Sequence, residues 1–99
     1  MRYNFEWDPN KAGENRRKHK ITFERAAQIF LDPFQISIFD EGHSEDEDRW
    51  VTLGKNSNDV LIVVVHIFRE VSNEDCTIRI ISARKANKRE TKQYKGYRE

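Results

Sequence analysis

Ninety-nine residues with a formal net charge of +1 make one domain, which can bury about 65% of its unfolded surface and hold one modest core. The lone Cys76 excludes an internal disulfide and supports no metal cluster. No apolar stretch approaches the ~20 residues of a membrane span, so a soluble cytoplasmic protein without metal or cofactor is expected. At 36% hydrophobic and 35% charged the chain is polar, yet six Phe, three Tyr and two Trp argue against disorder.

Tyr3 to Trp7 alternates weakly and reads as a short edge strand. Asp8-Pro9 offers an N-cap followed by proline in the first turn, and the helix it starts should end near Lys18 or His19. Thr22 is the next N-cap. Phe23, Ala26, Ala27, Phe30 and Leu31 follow at helical spacing as one apolar stripe, which Asp32-Pro33 stops. Phe34 to Phe39 has the period of a strand. An acidic loop with Gly42 follows, then a second strand from Arg49 to Gly54. Val60 to Phe68 is apolar on both faces and belongs in the middle of a sheet. A turn at Ser72 to Asp75 leads to Ile78-Arg79-Ile80-Ile81-Ser82-Ala83-Arg84, a buried strand with one guanidinium inside it and another at its end. A last helix is predicted to begin at Ser82 or Ala83, with Ala86, Glu90, Tyr94 and Tyr97 on one face. Short turns between successive strands imply an antiparallel meander of about four strands. With two helices before it and one after, the class is α+β, and residues 1–99 form a single domain.

Charge is segregated along this chain. Lys11 to Lys20 carries five basic residues against one acidic, Asp40 to Asp48 six acidic and no basic, and Cys76 to Glu99 eight basic against two acidic. Two basic blocks around an acidic loop could form a nucleic-acid face, or simply be solvated helical surfaces. There is no P-loop, Rossmann glycine pattern or nucleophile elbow, and His19, His43 and His66 lack metal-ligand spacing. His66, in the strongest strand, reads as a packed histidine. His19, at a helix end, could shuttle a proton near neutral pH or cap carbonyls.

Lys18, Arg49, Arg69, Arg79 and Arg84 lie inside strands or at element boundaries, where side chains from one edge of a meander can converge. Metal-independent RNA cleavage needs a base for the 2′-hydroxyl, an acid for the leaving oxygen and cations for the phosphorane. Arginine suits the last role, and Tyr94 could stack a base or donate a proton. Arginines held by Glu47 or Glu90 as internal ion pairs would account for the same residues.

Four blocks resemble the BrnT toxins of bacterial type II toxin–antitoxin systems. They are Phe5 to Ala12 with Asn15; Lys18-His19 with Ile21, Phe23-Glu24 and Ala26; His43-Ser44 with Glu47, Arg49 and Gly54; and Ile78 to Arg84 with Ala86, Glu90 and Tyr94. The resemblance implies a RelE-like fold and an endoribonuclease that blocks translation. It also implies a BrnA-type antitoxin with a ribbon-helix-helix region, a hetero-tetramer, and operator DNA reached only through the antitoxin. By position it carries over Lys18, His19, Arg49, Arg79 and Arg84 as the catalytic set. The roles expected of them follow from side-chain chemistry: His19 as base, Arg79 and Arg84 on the phosphate, and Lys18 or Arg49 against the developing charge. Arg69, Lys85 and Tyr94 are expected to touch RNA. Where the family often has glycine after Lys-His, this chain has Lys20. Two alternatives stay open: a non-catalytic basic binding module, and a co-repressor acting only through its antitoxin.

Overall fold

The computed structural model describes residues 2–43 and 47–98. Strand β1 (Arg2–Glu6) leads into helix α1 (Pro9–His19) and the short helix α2 (Phe23–Ala27), which tightens into a 3₁₀ turn over Gln28–Leu31. Strands β2 (Ile36–Phe39), β3 (Arg49–Lys55), β4 (Leu61–Glu70) and β5 (Asp75–Lys85) follow, and helix α3 (Lys88–Arg98) ends the fold. No helix among the described residues is long and apolar enough to cross a membrane.

The sheet has five strands in the order β1-β5-β4-β3-β2. Strands β2 to β5 form the expected antiparallel meander, with short turns joining β3 to β4 and β4 to β5. The expectation of about four antiparallel strands is corrected by β1, which pairs parallel to β5 with Glu6 opposite Arg79. The sheet is therefore mixed. A parallel neighbour requires a long crossover rather than a hairpin, and here most of the chain separates the two strands.

The helix starts follow their sequence signals. The Asp8 carboxylate accepts from the Asn10 amide at 2.8 Å, and the Thr22 hydroxyl accepts from the Arg25 amide at 3.3 Å. Arg16, Arg17, Lys18 and His19 fill the last turn of α1, the end at which the helix dipole favours cations. Lys20 then caps α1 in the left-handed region, at φ 61 and ψ 29, with its amide bonded to the Arg16 carbonyl. A left-handed backbone suits glycine, and a side chain there costs about 1 kcal/mol. Lys20→Gly is accordingly expected to raise stability by about 1 kcal/mol, read as a higher urea midpoint at unchanged slope.

The apolar stripe of α2 needs one correction. The 3₁₀ turn has three residues per turn, so Ile29 swings inward to full burial and Leu31 swings out to 82% exposure. Gly54 makes this docking possible. A Cβ there would lie 3.1 Å from the Cβ of Ile29 and 3.2 Å from its carbonyl oxygen.

One face of the sheet carries the main core: Ile21, Phe23, Ala26, Ile29 and Phe30 on Ile62, Val64, Ile78, Ile80 and Ala83. Asn15 joins α1 to β5 beyond the point where β1 stops. Its Nδ2 donates to the Ala83 and Ile21 carbonyls, and its Oδ1 accepts from the Ala83 amide. These bonds satisfy strand groups that no neighbouring strand reaches. The opposite face has a smaller cluster, Leu53, Val63 and Tyr94, under α3. The last helix does not begin at Ser82 or Ala83, because both continue the β4 ladder opposite Val65 and Val64. It begins after Asn87, whose side chain accepts from the Glu90 amide at 2.8 Å while the Glu90 carboxylate accepts from the Asn87 amide at 2.9 Å. Ala86 thus precedes the helix, and the Tyr97 side chain lies outside what is described.

Candidate active site

Arg79 and Arg84 are five residues apart, and a regular strand would send them to opposite faces. A bulge prevents this. Val65 pairs with Ser82 but His66 pairs with Ile80, so Ile81 is the extra residue and the alternation shifts by one. Both arginines consequently lie on the face away from α1 and α2. Register adds Arg49 and Ile67, which oppose one another, and Ile67 in turn opposes Arg79. Arg69 opposes Thr77 on the same face. Strands β3, β4 and β5 therefore bring Arg49, Arg69, Arg79 and Arg84 to one side of the sheet.

Helix α3 covers only the Leu53–Val63 end of that side. At the other end lies a cleft of about 330 Å³ lined by Glu6, Glu47, Ile67, Arg69, Thr77 and Arg79. The Arg79 Nη1 to Glu6 Oε1 distance is 3.5 Å, at the limit of a hydrogen bond, and both side chains are more than 40% exposed. Two guanidinium groups facing two carboxylates in a polar cleft can bind a phosphodiester and move a proton.

Arg84 is engaged differently. Its Nη1 and Nη2 donate to the two Glu90 carboxylate oxygens, each at 2.8 Å. This bidentate bond raises the Arg84 pKa and lowers that of Glu90, against the opposing effect of burial. Arg84 clips β5 to the first turn of α3, and it stands roughly 15 Å along the strand from Arg79. The suspicion that Glu90 holds an arginine is met here.

The remaining candidates do not line the cleft. Lys18 and His19 close α1, one turn beyond the Asn15 side chain that is fastened to Ala83, and so lie near the Arg84 end of β5. Lys85 opposes Ile62 and projects on the helix-covered face. Tyr94 must be removed from the base-stacking set: it is 1% exposed and packed among Leu53 and Val63. Its hydroxyl donates to Asp32 Oδ2 at 2.6 Å, which also accepts from the Lys55 amide at 2.8 Å. The tyrosine thereby fastens α3 to the loop before β2, and the Lys55 ammonium lies 5.8 Å from its ring centre. His43 pairs with Asp40 at 3.1 Å, while Ser44 falls outside the described residues.

Glu6 was not singled out from the sequence. A signal for it exists, since Tyr3 and Phe5 pack with Phe30 on the core side and strand alternation then turns Glu6 to the arginine side.

Comparison with known proteins bears on what such a cleft is for. A family model described as "Ribonuclease toxin, BrnT, of type II toxin-antitoxin system" matches residues 7–90. The crystal structure of the Brucella abortus ribonuclease toxin, BrnT, is similar over 89% of this chain and 100% of that chain, with 22% identity and a TM-score of 0.57. At that identity the likeness speaks for the fold alone. No curated protein matches the chain.

Proposed function

The chain belongs to the family of BrnT ribonuclease toxins of type II toxin–antitoxin systems, and on that footing we propose that it is a cytoplasmic endoribonuclease that cuts RNA without a metal and so blocks translation. The observation that carries this reading is the cleft on the uncovered sheet face, with Arg69 and Arg79 in its walls and Arg49 one strand away. Arg79 and Arg69 hold the scissile phosphate and stabilise the charge that grows on it during transfer. Arg49 adds a third cation on the same face. Lys18 and His19 on α1, and Lys85 on the helix-covered side of β5, belong to the opposite face of the sheet, so the RNA backbone runs over Arg49, Arg69 and Arg79 without them. Arg84 acts through Glu90 and α3, holding the strand that carries Arg79.

A toxin of this kind is silenced when its basic face is covered. The expected partner is a BrnA-type antitoxin with a ribbon-helix-helix region, assembled as a hetero-tetramer because such regions pair as dimers. Operator DNA is reached through that partner. An interface sufficient for stable silencing buries more than ~1,000 Å² and raises the melting temperature of the toxin.

Purified protein incubated with RNA in excess chelator should release fragments ending in 2′,3′-cyclic phosphate. Induced expression should arrest growth, and co-expression of the antitoxin should restore it. RNA that stays intact with and without divalent cations, bound or unbound, would refute the enzymatic reading in favour of a non-catalytic binder or co-repressor.

A further inference from the structure

Resting on the ribonuclease reading above, we propose that Glu6, not His19, is the general base that activates the 2′-hydroxyl. Among the described residues, no histidine lines the cleft that holds Arg69 and Arg79, and the proton acceptors in its walls are Glu6 and Glu47. Of the two, Glu6 stands directly opposite Arg79 in the β1–β5 register, on the last residue of a regular strand. A phosphate bound by Arg79 therefore sits beside this carboxylate. Among the described residues the one polar contact of Glu6 is the 3.5 Å approach of Arg79 Nη1 to Oε1. Its second oxygen is left to accept a proton.

A purely structural role explains this arrangement less well. An exposed ion pair at the limit of contact contributes little stability. Strand β1 is already held by five residues of parallel pairing and by Tyr3 and Phe5 against Phe30. A carboxylate on this strand is not needed to dock it. The groups that face Glu6 are Arg79 from β5, Arg69 from β4 and Glu47 from the segment before β3. Glu6 also precedes the span matched by the family model, so nothing in that match assigns it.

In the step, the Glu6 carboxylate takes the 2′-hydroxyl proton as the 2′-oxygen forms its bond to phosphorus. The bond from phosphorus to the 5′-oxygen breaks, and the leaving oxygen takes a proton from water. Products are a 2′,3′-cyclic phosphate and a 5′-hydroxyl. Glu6 returns its proton to solvent, so no net proton is consumed.

The test uses the full chain with a short RNA of defined sequence. Glu6→Gln keeps the shape and a hydrogen bond to Arg79 but cannot accept a proton. It is expected to lower kcat by ~100-fold or more with KM nearly unchanged, and to abolish the acid limb of the kcat/KM profile. Added acetate should restore part of the activity of Glu6→Ala, which a structural defect would not allow. Wild-type kcat and pH profile in Glu6→Gln would overturn the assignment. So would loss of the acid limb in Glu47→Gln while Glu6→Gln retains it. Should Glu6→Gln melt early and cleave slowly, an acid limb kept in the residual activity, with no acetate rescue of Glu6→Ala, overturns it as well. A wild-type chain that leaves RNA intact refutes the ribonuclease reading itself, an outcome distinct from an active Glu6→Gln.

Discussion

Arg79→Ala is expected to slow RNA cleavage by roughly 10²–10³-fold in kcat while the protein stays folded. Three features set that magnitude. Arg79 is the cation that lies both in the wall of the cleft and directly opposite Glu6 in register. The planar fork of a guanidinium matches two phosphate oxygens at once, so its removal withdraws two hydrogen bonds aimed at developing charge. The pair it leaves behind is solvent-exposed, so stability should hardly change. Arg79→Lys should recover little, since a point charge cannot reproduce the fork. The contrasting variant is Arg84→Ala. It breaks the bidentate bond to Glu90 and should appear first in the melting temperature, with a smaller effect on turnover. Single-turnover cleavage of a defined RNA, read beside circular-dichroism melts, separates the two. An Arg79→Ala protein that cuts at the wild-type rate would place the reaction elsewhere on the molecule.

Local chemistry made most elements readable from the chain. Asp8-Pro9 and Thr22 act as N-caps, the double-sided apolar run from Val60 sits centrally, and the turns after Lys55 and Glu70 join neighbouring strands. What stayed hidden depends on long-range partners. Nothing near Tyr3 announces that its strand will lie parallel to one more than 70 residues away. The expected start of the last helix falls too early because Ser82 and Ala83 carry no strand signal of their own; their ladder with Val65 and Val64 decides. Tyr94 has helical spacing whether it faces RNA or core, and only the position of Asp32 settles which. The bulge at Ile81 is the most consequential of these. The sequence places two arginines in one strand, but that single extra residue determines that they share a face. Lys18 and His19 stand together in the chain yet do not line the cleft, because the bonds of Asn15 to Ala83 hold α1 on the other face of β5.

The other large effect is in stability rather than catalysis, and its origin is His66. The ring is 3% exposed, edge-on to Phe30 at 4.9 Å, with Nε2 bonded to the Thr52 hydroxyl at 2.7 Å. The Thr52 oxygen lies 2.7 Å from the Ser37 hydroxyl, so a short polar chain crosses β4, β3 and β2. Burial lowers the His66 pKa to about 4, against a smaller upward pull from the Ile67 backbone. The folded protein therefore binds the proton less readily than the unfolded chain, whose histidine titrates near 6.5. Above that value both states are neutral and the full contribution is present. As pH falls from about 6.5 toward about 4, the unfolded state gains a proton that the folded state refuses. The stability lost over this window is about 3 kcal/mol. For a domain of this size that corresponds to a fall of roughly 10–25 °C in Tm. Glu90, whose pKa is also depressed, adds its own loss at lower pH, as its carboxylate protonates and releases Arg84. The two can be distinguished by variant. His66→Gln should be less stable at pH 7 but nearly flat between pH 6.5 and 4, whereas Glu90→Gln should keep the histidine slope. Urea titrations across that range measure both, and a His66→Gln protein with the wild-type slope would show that the buried ring is not the acid-sensitive element.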